Sequence, residues 1–107
     1  MARVAGPGGA GADVEFVDAA GQVVLRREIK SITGGVNSFN TDVSHAATQL
    51  RGSGEIWIQV ASGTDVQAWR RAFVGRRDAA ALARYSGIEL RALDPAGVVL
   101  FLGPIVP

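Results

Sequence analysis

The sequence predicts a small mixed β-sheet flanked by helices, of the α/β (α+β) class, over residues 13–107. Three observations predict it. Stretches such as "DVEFV" and "EIWIQVA" alternate polar and apolar residues, the two-residue period of a strand. Between them lie stretches whose apolar residues recur every three or four positions, the period of a helix. The two kinds follow one another as β-β-α-β-α-β-β, with a further helical stretch before the last strands, an order that suits a sheet with helices packed on it.

Each element has a local cause. Residues 13–17 form a first strand, "DAAG" at 18–21 a turn, and "QVVLRREIKS" at 22–31 a longer second strand, so the three make a hairpin. "ITGGVNSFN" reads as a loop with paired glycines. "TDVSHAATQL" at 41–50 reads as a helix capped by Asn40 or Thr41, with Val43, Ala46, Ala47 and Leu50 on its apolar face. "RGSG" stops it. In "EIWIQVA" at 55–61, Ile56, Ile58 and Val60 share one side, and Trp57 points to the other, where a helix is expected to cover it. "TDVQ" at 64–67 has the pattern of a capping box, with Thr64 as cap, and opens a helix running to Gly75. A further helical stretch spans 78–85 and ends at Gly87. "IELRALD" and "VVLFLG", joined by "PAG", form a closing hairpin. Residues 1–12, "MARVAGPGGAGA", read as a flexible Gly-rich lead-in, compatible with a domain that continues a longer chain.

Composition narrows the chemistry. A chain of 107 residues is one domain rather than two. There is no cysteine, which excludes disulfides and thiolate metal sites, and the single histidine argues against a multi-histidine zinc site. No apolar run is long enough to span a bilayer. Arginine dominates the basic residues. Six arginines against two acids lie between residues 70 and 91, and Arg70, Arg71, Arg76 and Arg77, with Trp69 and Tyr85 nearby, suit contact with a nucleic-acid backbone. Lys30 is the only lysine. Gly34 and Gly35 lack a following Lys-Ser/Thr, so a phosphate-binding P-loop is excluded.

Lys30 stands two residues after Glu28, so the two share a strand face, and closure of the hairpin brings Asp13 level with residues 26–28. Two carboxylates beside a lysine suit metal-assisted hydrolysis of a phosphodiester. The carboxylates hold a hard cation, and the lysine orients or deprotonates a water, or stabilises the transition state. "AD" at 12–13 followed by "EIK" at 28–30 resembles the PD-(D/E)xK motif of the restriction-endonuclease-like nucleases. The resemblance covers most of residues 13–75. It implies a restriction-endonuclease-like core, Asp13, Glu28 and the Ile29 carbonyl as ligands of Mg²⁺ (or Mn²⁺), and Lys30 as the catalytic lysine. Ala12 replaces the motif's proline, and the helix that usually precedes the first strand is missing or reduced. Asp42, His45 and Gln49 share one flank of the following helix, and family members often place a polar helix residue near the site. The stretch 30–60 also resembles C-terminal domains of secreted bacterial polymorphic toxins, which implies Asn37, Ser38, His45 and Gln49 as auxiliary residues. It also implies a cognate immunity protein as partner and action in the cytoplasm of a target cell. Without the toxin setting, a soluble cytoplasmic nuclease acting on DNA or RNA is expected.

Each of these residues also has a structural role open to it. Glu28 and Lys30 suit an exposed ion-pair face, and His45 an ordinary surface position. Asp42 suits favourable contact with a helix dipole. Glu15 shares Asp13's strand face and is an alternative ligand, whereas Asp18 suits a turn. On that reading the domain is a non-catalytic protein-interaction module.

Overall fold

The computed structural model describes residues 13–107 and the backbone of residues 2–4. Strands β1 (Ala2–Val4), β2 (Val14–Val17) and β3 (Val23–Ser31) run antiparallel in succession, with Val14 opposite Arg27 and Phe16 opposite Leu25. Asp18 fastens the β2–β3 turn, its carboxylate accepting the backbone N–H groups of Ala20 and Gln22 at 2.9 and 3.0 Å. Helix α1 (Val36–Leu50) then leads to strand β4 (Ser53–Gln59), parallel to β3. Helix α2 (Val66–Gly75), the short helix α3 (Ala79–Leu82) and a 3₁₀ turn (Ala83–Tyr85) lead to strand β5 (Gly87–Leu93), parallel to β4. Strand β6 (Val99–Pro104) closes the sheet antiparallel to β5. The sheet is mixed and six-stranded, in the order β1-β2-β3-β4-β5-β6.

Part of the segment read as a lead-in is therefore an edge strand. Residues 1 and 5–12, Ala12 of the motif among them, lie outside the described residues.

The sheet order explains the layering. Two successive parallel crossovers, β3–α1–β4 and β4–α2–β5, move the same way along the sheet. Right-handed crossovers of one direction deposit their helices on one face. Phe39, Val43, Ala46 and Leu50 of α1 and Phe73 of α2 accordingly bury themselves against Ile56, Ile58, Ile88, Leu90 and Ala92 in a single core. Among the described residues no helix covers the other face, and Trp57, expected beneath a helix, lies there instead. Its indole is held between Arg27 and Arg91, whose guanidinium carbons stand 4.0 and 4.4 Å from the ring centroid. Arg27 also sits 4.7 Å from the Phe16 ring and pairs with Glu55 at 2.7 Å. Guanidinium groups stacked on the Trp57 and Phe16 rings thus shield much of this face. Ile29 and Leu102 remain 54% and 62% exposed.

Helix α1 begins at Val36, five residues before the expected start, because Phe39 belongs to the same apolar stripe as Val43, Ala46, Ala47 and Leu50. Asn40 is consequently inside the helix rather than its cap. The cap of α2 is Asp65, which accepts the Ala68 N–H at 3.0 Å, while the Thr64 hydroxyl donates to the Ala61 carbonyl. The expected helix over 78–85 is divided into α3 and the 3₁₀ turn, and Gly87 opens β5. Gly54, at φ +139°, sits where β4 meets β3; a Cβ there would run into the Arg26 carbonyl, so the parallel pairing requires glycine.

Candidate active site

The hairpin register decides whether the three sequence-predicted residues meet. Val14 lies opposite Arg27, so Asp13, one residue before β2, lies opposite Glu28 at the end of the β2–β3 pairing. The two are joined reciprocally. The Asp13 backbone N–H donates to Glu28 Oε1 at 2.9 Å, and the Ile29 N–H donates to Asp13 Oδ2 at 2.8 Å. Lys30 Nζ stands 3.9 Å from Glu28 Oε2, within ion-pair range but too long for a hydrogen bond. Glu28 thus meets Asp13 across the hairpin and Lys30 along its own strand.

A strand residue directs its N–H and C=O to the same edge. Since the Ile29 N–H meets Asp13, the Ile29 carbonyl leaves β3 on that edge too. The Ile29 side chain points to the opposite, helix-free face, so only its backbone belongs to the site. Glu15 is paired with Arg26 at 3.2 Å, which explains its place beside the trio without a ligand role.

Glu28 lies on the helix-covered face of β3, level with Ile56, and has no accessible surface. Its carboxyl is pushed above the ordinary range, first by burial and then by the neighbouring Asp13 carboxylate. The Asp13 N–H and the Lys30 ammonium oppose the shift without cancelling it. Lys30 keeps about a third of its side chain accessible. The arrangement is a buried carboxyl, a second carboxyl and one cation at a sheet margin.

Helix α1 divides the remaining candidates between its two flanks. On one flank, Asn37 accepts Arg76 at 2.9 Å and Asn40 accepts Arg77 at 2.7 Å. Ser44 Oγ accepts a second Arg77 nitrogen at 2.7 Å. That flank faces α2. Ser38, Asp42, His45 and Gln49 occupy the opposite flank, and α1 packs over β3 and β4. This flank therefore overlooks the Glu28 side of the sheet. His45 is exposed there, and Gln49 is half-buried. Asn37, implied as an auxiliary residue, is instead spent on the α1–α2 contact.

The arginines expected to form one phosphate-binding track have separate tasks. Arg77 donates to Asn40, Ser44 and the Phe73 carbonyl and lies 3.5 Å from the Phe73 ring centroid. It joins α2 to α1 from within. Arg76 is exposed but bonded to Asn37. Arg70 stacks 5.3 Å from the Phe101 ring centroid, and Arg71 is exposed. All four stand on the side of α1 away from the acids. We expect Arg77→Ala to cost about 1–3 kcal/mol, through loss of its charge-assisted bonds to the Asn40 amide oxygen and the Ser44 hydroxyl. Arg71→Ala is expected to change stability by less than about 0.5 kcal/mol. Urea denaturation of the two variants measures the contrast.

Among the described residues, no group of three or more His, Asp or Glu side chains is placed to hold a metal ion, and no helix is long and apolar enough to cross a membrane. Any cation at Asp13 and Glu28 would take its other ligands from backbone, water or substrate. No family model matches the chain, and no curated protein or solved structure matches it.

Proposed function

We propose that the protein is a metal-dependent nuclease that hydrolyses phosphodiester bonds, with Asp13, Glu28 and Lys30 as its reactive centre. One observation supports this above the rest: the fully buried Glu28 carboxyl adjoins Asp13 across the hairpin and has the Lys30 amine 3.9 Å away. Burial of a carboxylate beside another is unfavourable, and a divalent cation relieves both costs at once. Hard oxygen ligands favour Mg²⁺ or Mn²⁺, which retains several waters when held by few protein groups. Such an ion, bound by Asp13, Glu28 and the Ile29 carbonyl, supplies charge neutralisation at the phosphoryl oxygens and an acidified water.

The residues of the chain do the rest. Asp13 and Glu28 set the position of the attacking oxygen. The Lys30 ammonium orients that oxygen and faces the charge that develops on the phosphoryl group. As the new P–O bond forms, the bond to the leaving sugar oxygen breaks. The attacking water gives up a proton, and the leaving oxygen takes one up. His45 and Gln49, on the α1 flank over this side of the sheet, are positioned as auxiliary polar groups. In this reading the β-meander, α1 and β4 correspond to part of a restriction-endonuclease-like core. A toxin effector neutralised by an immunity protein is the biological setting the sequence resemblance suggests.

The test is an incubation of the purified chain with plasmid DNA, total RNA and tRNA, with Mg²⁺, Mn²⁺ or EDTA, beside calorimetric titration of each metal. Cleavage of at least one substrate is expected with metal and none with EDTA.

A second reading rests on the reciprocal bonds between Asp13 and residues 28 and 29, which are also what a clasp at a sheet margin needs. The domain would then be a non-catalytic interaction module. Failure to bind metal together with failure to cleave any of the three substrates selects it.

A further inference from the structure

Beyond Lys30 the sheet opens into two adjoining cavities. One, of about 310 Å³, is bordered by Lys30 itself, Ser31 and Gln59. The other, of about 460 Å³, shares Ser31, Gln59 and Pro95 with it and is lined further by Ile32, Thr64 and Trp69. They lie past the carboxyl ends of the parallel strands β3 and β4. That is where open α/β sheets receive ligands, since the chain there leaves strands for helices and the loops part. The larger cavity has the volume of a small-molecule site, roughly 300–1,000 Å³, and its wall is mainly apolar with a few amide and hydroxyl groups.

Resting on the nuclease reading above, we infer that the larger cavity receives one unpaired nucleobase of the substrate, so that the preferred substrate is single-stranded. Ile32 lies two residues after Lys30 on the same strand face, so a strand whose phosphate sits at Lys30 has its neighbouring nucleoside at the cavity mouth. The wall offers what a base needs. The Trp69 indole is held from behind by Phe39, with ring centroids 5.5 Å apart, and supplies a flat apolar surface. Thr33 and Thr64 bring hydroxyl-bearing residues to the cavity border. A bare phosphate gains nothing from this mainly apolar wall. A paired base reaches it only after being unstacked, which costs a few kcal/mol.

The experiment measures binding without turnover. Trp57→Phe leaves Trp69 as the only tryptophan. In EDTA, this variant is titrated with a labelled single-stranded RNA and DNA of mixed sequence, with the matching duplexes, and with a single strand whose bases are replaced by abasic units. Anisotropy and Trp69 emission are read together. We expect quenching of Trp69 by the single strand, and affinity about tenfold weaker for the duplex and the abasic strand, the scale of one stacked base. Trp69→Ala would undermine the core, so the cavity is blocked instead from its exposed rim by Ala61→Phe, which should weaken single-strand binding by about the same factor. Equal affinity for single strand and duplex, unquenched Trp69 or indifference to Ala61→Phe would overturn the inference. The two readings fail separately. Metal-dependent cleavage undisturbed by Ala61→Phe rejects the base site alone. Quenching by single strands without cleavage under any metal rejects the nuclease and retains the base site.

Discussion

Lys30→Ala is expected to slow metal-dependent cleavage by about 10²–10⁴-fold, the range lost with one positioned proton-transfer or charge-stabilising group. The fold should survive, because the Lys30 side chain is about one-third exposed and its ammonium approaches Glu28 no closer than 3.9 Å. Glu28→Gln should abolish both cleavage and calorimetric metal binding while making the metal-free protein more stable at neutral pH. The direction follows from linkage. The folded carboxyl is raised above its usual value near 4.5, so the native state holds this proton more tightly than the unfolded chain. Stability associated with Glu28 is therefore full at acid pH and is lost as pH rises through the raised folded value. Glutamine mimics the protonated form, so the denaturation midpoints of variant and parent should converge on acidification and diverge above that range. Saturating Mg²⁺ should stabilise the parent, by about 2.7 kcal/mol at a hundredfold excess over Kd, and leave Glu28→Gln unmoved. A Lys30→Ala protein that cleaves at the parent rate, or a Glu28→Gln protein that still binds metal, would refute the assignment.

Phe39→Ala should give the largest loss of stability of any single substitution discussed, about 3–5 kcal/mol. The ring is fully buried and sits 5.5 Å from Trp69 and 6.2 Å from Phe73, the latter edge-on. It is the first buried residue of α1 and packs against the aromatic rings of α2. Its removal leaves a void that no neighbour can fill without breaking the aromatic chain that continues from Phe73 to Tyr85, 5.1 Å away. Against the 5–15 kcal/mol typical of a whole domain, that loss brings the protein close to unfolding. Thermal melting should show a fall in Tm on the order of 20 °C, whereas Phe39→Leu should retain most of the stability. A fall of only a few degrees would mean that the α1–α2 junction repacks freely.

Phe39 also marks where the sequence misled. Its stripe with Val43, Ala46 and Leu50 is helical, but the intervening asparagines and serine, after two glycines, read as a loop. Asn40 and Ser44 face α2 and bind Arg77, a partner 33 to 37 residues away that local pattern does not reveal. The same long-range contact misplaced Arg77, because a basic pair on a helix looks the same whether it faces phosphate or a neighbouring helix. The hairpin was legible from its alternation and the Asp18 turn, but its register was not: the pairing shifts by one residue between Phe16 and Val17, and that irregularity brings Asp13 opposite Glu28 rather than Arg27. Trp57 was assigned to the correct side of its strand. That no described helix covers that side follows from the direction of the two crossovers, which periodicity within a strand does not encode. The cavities beyond Lys30 were not legible, since their walls come from four separated stretches of chain.

The sheet order has a last consequence. Asp13 precedes a four-residue strand that has only β1 beyond it, while Glu28 belongs to the nine-residue strand next inward. Sheet margins fray before interiors, so local opening would peel Asp13 from Glu28 well below the energy of global unfolding. An ion shared by the two carboxylates would act as a stitch across that seam, and its occupancy would slow amide exchange along β2 more than in β4 or β5.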